Sequence, residues 1–86
     1  MAEYRLIIKP SAAKEFDRLT LSVASRIETK IAALAIEPRP PGVKRLKDRE
    51  VLWRVRIGDW RVIYSIDDEN RVVEIIYIRH RSKAYD

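Results

Sequence analysis

The segment Val51-Leu52-Trp53-Arg54-Val55-Arg56-Ile57-Gly58-Asp59-Trp60-Arg61-Val62-Ile63-Tyr64-Ser65-Ile66 decides the fold. On either side of Gly58-Asp59 the chain alternates with a period of two and is rich in β-branched and aromatic residues, the pattern of two strands closed by a tight turn. Asp67-Asp68-Glu69-Asn70 follows as a polar, acidic turn, expected to be solvated rather than metal-binding. Arg71 to Ile78 supplies a further strand. Three consecutive strands with short connections make an antiparallel meander.

Upstream, the period lengthens. Tyr4 to Lys9 reads as a strand ended by Pro10. Ser11 is the expected N-cap of a short helix from Ala12 to about Leu19, with Ala13, Phe16 and Leu19 or Thr20 on one face. Ser22 is the expected cap of a second helix running to about Ile36, in which Val23, Ile27, Ile31 and Leu34 recur at helical spacing. Pro38, Pro40, Pro41 and Gly42 then interrupt the chain, a linker between a helical half and a β half. The order is βααβββ, an α+β fold in one domain spanning residues 1–86. Its first strand joins an antiparallel sheet, and a helical hairpin packs on one face.

Composition narrows the function. In 86 residues, 47% are apolar, enough for a core, and 36% are charged. Eighteen Lys and Arg against thirteen Asp and Glu leave a net charge of +5, and the pI of about 9.8 favours an acidic partner. The chain has no cysteine, which removes disulfides, thiol catalysis and thiolate metal sites. One histidine builds no His-rich metal centre, and two glycines build neither a P-loop nor a dinucleotide fingerprint. No cofactor and no metal are expected. No run approaches the roughly 18 apolar residues of a membrane span. The first residues lack a signal-peptide pattern, so the expectation is a cytoplasmic protein without membrane contact.

Net charge misplaces the site. Residues 1–46 carry 9 basic and 5 acidic side chains, residues 47–86 carry 9 and 8. The basic excess therefore lies in the first half, while the informative arginines lie in the second. Side chains at i and i+2 of a strand share a face, so Arg54 and Arg56 project together, opposite Trp53, Val55 and Ile57. Arg79 and Arg81 repeat that spacing, and Arg61 opens the strand after the turn. Five guanidiniums on neighbouring strands are expected to converge on one face. Their planar forks match the oxygens of a phosphodiester. His80, between Arg79 and Arg81, is the one side chain that titrates near neutrality, and Tyr85 offers a ring for a nucleobase. Trp53 and Trp60 read as core or cross-strand partners rather than base-stacking platforms.

The hairpin Trp53-Arg54-Val55-Arg56-Ile57-Gly58-Asp59-Trp60-Arg61-Val62-Ile63-Tyr64, followed by Ile78-Arg79-His80-Arg81-Ser82-Lys83-Ala84-Tyr85, resembles the RelE branch of the RelE/ParE toxin superfamily. The resemblance spans almost the whole chain. It implies a toxin of a type II toxin–antitoxin pair that enters the ribosomal A site and cleaves mRNA there without a metal ion. Its partners would be a cognate antitoxin, the ribosome and mRNA, with operator DNA bound through the antitoxin. The implied catalytic set is Arg54, Arg56, Arg61, Arg79, His80 and Tyr85, with RNA contacts from Arg45, Lys47, Arg81 and Lys83. RelE itself has lysines where this chain has Arg54 and Arg56, and arginine does not give up its proton. The general base is thus left open, with His80 as the candidate proton carrier. Two rival readings share the fold: a ParE-like poison of DNA gyrase, and a catalytically silent nucleic-acid-binding module.

Overall fold

The Gly58-Asp59 hairpin closes as its sequence requires. Gly58 sits at φ +61°, a backbone conformation that favours glycine. The structure, a computed structural model, describes residues 3–46 and 52–83. In chain order the elements are β1 (Arg5–Ile8), α1 (Pro10–Asp17), α2 (Leu21–Leu34), β2 (Lys44–Leu46), β3 (Leu52–Ile57), β4 (Trp60–Asp67) and β5 (Val72–His80), followed by a 3-10 turn at Arg81–Lys83.

The α+β expectation holds, and three details change. The sheet has five strands in the order β1-β5-β4-β3-β2, because Lys44–Leu46 pairs with β3 as a strand too short to announce itself. The sheet is mixed: β1 runs parallel to β5, with Arg5 opposite Val72 and Ile8 opposite Ile75. The chain between them, both helices followed by β2, β3 and β4, supplies the crossover that a parallel pair needs. The helix starts also move. Pro10 opens α1 instead of only ending β1, a position where its missing N–H costs nothing, and the Ser11 hydroxyl donates to the Ile76 carbonyl at 2.6 Å instead of capping. Thr20, not Ser22, caps α2, its hydroxyl accepting from the Val23 N–H at 3.4 Å.

One face of the sheet is sealed by the helices. Ile27, Ile31 and Leu34 of α2 are buried, as their spacing predicts, and Val23 packs beside them. On α1 it is Ala12 rather than Ala13 that enters the core, with Phe16 and the following Leu19 packed against it. Val55, Val62, Tyr64, Val73, Ile75 and Ile78 meet them from the sheet. No helix among the described residues is long and apolar enough to cross a membrane.

The acidic turn is less idle than its sequence suggests. Asp68 accepts two hydrogen bonds from Arg39, at 3.2 and 2.8 Å, and a third from the Tyr4 hydroxyl at 2.6 Å. The Arg39 guanidinium also lies 5.0 Å from the centroid of the Trp53 ring. One carboxylate therefore ties the segment ahead of β1, the proline-rich linker and the β4–β5 turn together. Arg39 first, and then Tyr4, hold the Asp68 carboxyl down at about 2, against an ordinary 3.8. A carboxyl depressed in the folded state adds stability that is complete above its unfolded value and disappears as pH falls through the folded one. Thermal melts between pH 3.8 and about 2 are therefore expected to lose stability more steeply in the wild type than in Asp68→Asn. Equal slopes would show that the clamp contributes nothing in solution.

Candidate nucleic-acid interface

Register, not spacing alone, assembles the basic face. A two-residue loop sets Ile57 opposite Trp60 and hence Arg56 opposite Arg61, and the β4–β5 pairing sets Arg61 opposite Arg79. Arg56, Arg61 and Arg79 thus form one row across three strands, on the face away from the helices. Directly opposed side chains in such pairs have Cβ atoms roughly 4.5–5.5 Å apart. The next row on this face runs Lys44, Arg54, Ile63, Tyr77. Lys44 joins it only through β2, and sequence reading missed it for that reason. Arg45, one of the four residues expected to contact RNA, is opposite Trp53 and so has the other parity.

The two central arginines are not surface residues. Arg54 is 5% exposed and Arg61 is 8% exposed, whereas Arg56 is open to solvent. The Arg61 guanidinium makes one long hydrogen bond, Nη1 to the Trp60 carbonyl at 3.4 Å, and its buried Nε has no partner among the described residues. Burial lowers the Arg61 pKa most, and repulsion from Arg56, Arg54 and Arg81 lowers it further, with Asp59 opposing. Four like charges are therefore held within electrostatic reach of one another. Arg81 stands at the mouth: its N–H donates to the Asp59 carbonyl at 2.7 Å, and its Nε lies 3.8 Å from the Asp59 carboxylate.

Arg79 is held at the edge of this face. Its guanidinium carbon lies 3.8 Å from the centroid of the Tyr77 ring, and its Nε donates to Glu15 Oε2 at 3.2 Å. Nothing in the sequence flags Glu15, which is 64 positions away.

His80 does not join the row. It is opposite Trp60, one position out of phase with Arg79, and its ring meets Trp60 edge-on at 5.3 Å on the helix side of the sheet. The Ser82 N–H donates to its Nδ1 at 3.3 Å, so in the neutral ring the proton sits on Nε2. Trp60, His80, Ser82, Glu15, Arg18 and Arg79 border a cleft of about 580 Å³ there. Lys47 and Tyr85, and the side chain of Lys83, lie outside the described residues.

This arrangement has a definite chemistry. A row of guanidiniums, partly desolvated and preorganised, binds phosphate oxygens and stabilises added negative charge on them. It does not accept a proton.

Comparison with known proteins agrees with the fold. The sequence model of the family described as the ParE toxin of type II toxin–antitoxin systems, parDE, matches residues 6–85. The toxin RelE of Mycobacterium tuberculosis is 37% identical over 83 residues, covering 95% of this chain and 86% of its own length. Among solved structures, the archaeal RelE–RelB complex of Pyrococcus horikoshii contains a chain that superposes with a TM-score of 0.83 at 30% identity, covering 98% of this chain and 100% of that one. The toxin–antitoxin complex RelBE2 of Mycobacterium tuberculosis contains another, with a TM-score of 0.80 at 25% identity, covering 92% and 99%.

Proposed function

The chain belongs to the RelE/ParE superfamily of type II toxin–antitoxin toxins, and we propose that within it the protein acts as a RelE-like, ribosome-dependent endoribonuclease that cleaves mRNA. The observation that carries this reading is the row Arg56, Arg61, Arg79, in register on adjacent strands, with a buried Nε on its central member that has no partner among the described residues. A scissile phosphate laid on Arg61 and Arg79 receives donors from both sides. Attack by the neighbouring 2′-oxygen forms a bond to phosphorus as its proton passes to water, the bond to the 5′-oxygen breaks as that oxygen takes a proton from water, and a 2′,3′-cyclic phosphate and a 5′-hydroxyl result. Charge grows on the non-bridging oxygens along the way, where preorganised donors act most strongly. Arg56, Arg54 and Lys44 extend the grip along the backbone, and Arg81 borders its entrance.

The proton of the 2′-hydroxyl has no acceptor among these guanidiniums. His80 serves only RNA that passes round the outer edge of β5, since its ring lies on the other side of the sheet. A face rich in charge stabilisation and poor in bases accounts for dependence on the ribosome, which would orient the RNA and complete the site. The partner that restrains the toxin is a cognate antitoxin, a reading supported by the RelB complexes of the neighbours.

Tightly controlled expression followed by primer extension on cellular mRNA tests this. Codon-positioned cuts are expected from the wild type and are expected to vanish in Arg61→Ala and Arg79→Ala. Growth arrest with intact mRNA and broken DNA would replace the reading with gyrase poisoning, the activity associated with the ParE name. Neither toxicity nor cleavage would leave a binding module.

A further inference from the structure

Helix α1 carries one carboxylate to the open margin of the sheet. β1 accompanies β5 only from Val72 to Ile75, so beyond that point the outer edge of β5 has no strand beside it among the described residues. Glu15 takes the place of the missing neighbour. Its Oε1 accepts the Ile78 N–H at 2.8 Å, and its Oε2 accepts the Arg79 Nε–H at 3.2 Å. One carboxylate thus binds a backbone donor and the side chain of the next residue together. The Arg79 guanidinium is meanwhile stacked 3.8 Å from the Tyr77 ring centroid.

These contacts define a direction. Arginine presents five N–H donors in a fixed fork. Stacking on Tyr77 sets the plane of that fork, and Glu15 engages the Nε–H. The Nη1/Nη2 end is left for a ligand, and two parallel N–H groups suit two oxygens of one phosphate. The geometry points to Glu15 as the positioning residue for Arg79: it fixes the guanidinium so that its Nη end, not its Nε side, meets the scissile phosphate. This deepens the proposed nuclease activity and rests on Arg79 acting there.

A carboxylate beside an anion site also opposes anion binding, and that separates the two roles Glu15 can have. If it only dilutes positive charge, removing its charge tightens RNA binding and leaves the chemical step alone. If it positions Arg79, the chemical step slows while binding holds or tightens. Glu15→Gln is the discriminating variant. Its amide oxygen still accepts the Ile78 N–H, but its amide NH2 faces the Arg79 Nε–H as a donor against a donor.

The experiment is single-turnover cleavage of ribosome-programmed mRNA by the wild type, Glu15→Gln, Arg79→Ala and the double variant, with ribosome affinity measured alongside. In Glu15→Gln the rate at saturating toxin is expected to fall by about tenfold to a hundredfold, the scale of a small misplacement of a catalytic group. Affinity is expected to hold. Added to Arg79→Ala, the same change is expected to cost nothing further, because there is no guanidinium left to aim. An undiminished rate in Glu15→Gln, or a loss that adds fully to that of Arg79→Ala, would overturn the positioning role. The NMR signal of the Arg79 Nε–H in the free protein reads the tether without any cleavage. It is expected to exchange slowly in the wild type and rapidly in Glu15→Gln, and equal exchange overturns the tether. Full cleavage by Arg79→Ala overturns the reading of Arg79 itself, whatever that signal shows.

Discussion

Arg61→Met is expected to abolish mRNA cleavage and to leave the folded protein as stable as the wild type or more so. The two outcomes have one cause. Arg61 is 8% exposed, has a single long hydrogen bond to the Trp60 carbonyl, and keeps a buried Nε without a partner among the described residues. Burial and the nearby Arg56, Arg54 and Arg81 all push against its charge. Opposed like charges on a sheet are destabilising, and a buried charge without full compensation costs more than an apolar side chain of similar volume. Folding therefore carries a penalty at Arg61 that a phosphate would relieve on binding. Methionine keeps the length and the packing of the side chain while removing the charge. A transition-state donor lost from a preorganised site costs on the order of a hundredfold to a thousandfold in rate. Differential scanning calorimetry and single-turnover cleavage on the same preparations check both halves. A marked fall in Tm would mean that Arg61 is structural, and retained cleavage would remove it from the site.

How much of this was legible in the sequence depends on what each inference needed. Alternation through Leu52 to Ile66 was sufficient for the hairpin, and the two-residue loop at Gly58-Asp59 fixes Arg56 opposite Arg61 with no further information. Arg79 opposite Arg61 is different. It depends on the four-residue β4–β5 turn and on an irregularity at Ile63/Tyr64, neither of which has a residue signature that counts out the register. His80 stands outside the row for a reason the sequence does contain. Neighbours in a strand face opposite ways, so a histidine next to Arg79 was bound to leave the row that Arg79 joins. Arg81 escapes the same alternation because the strand ends at His80 and the chain turns into a 3-10 segment.

The partners of the row were beyond reach for another reason. Lys44 enters through a three-residue strand whose pairing is tertiary, and Glu15 reaches Arg79 across 64 positions. Both α1 and β2 are short, so their placement is decided by what they pack against rather than by propensity. A charged residue on such an element carries no local mark of what it will meet. The arithmetic of charge fails for a related reason: the second half is nearly neutral in total, yet the sheet separates its signs. Among the described residues of that half, Asp59, Asp68 and Glu69 sit in turns, Asp67 ends β4 and only Glu74 lies inside a strand, whereas Arg54, Arg56, Arg61 and Arg79 lie on β3, β4 and β5.

Tyr64→Phe is expected to lower Tm by roughly 5–20 °C without changing cleavage per folded molecule. Tyr64 is fully buried on the helix side of β4, and its hydroxyl donates to the Pro38 carbonyl at 2.6 Å. Pro38 is itself buried, so the phenylalanine variant takes from its carbonyl the donor that the described residues supply. An unsatisfied buried group costs about 1–3 kcal/mol, and each kcal/mol moves Tm by about 4–8 °C in a domain of this size. The bond also pins the proline-rich segment that leads into β2, the strand that brings Lys44 beside Arg54. The pH dependence follows from the same burial, which raises the Tyr64 pKa above its ordinary 10.0. A phenol whose pKa is higher in the folded state stabilises the fold fully below its unfolded value, and that contribution disappears as pH rises beyond it. Wild-type melts are therefore expected to lose stability above pH 10 faster than Tyr64→Phe melts, so the gap between the two narrows as the solution becomes alkaline. A gap that stays constant from neutral pH upward would mean that the phenol is not desolvated. An unchanged Tm at neutral pH would mean that the Pro38 carbonyl finds another donor when the hydroxyl is gone.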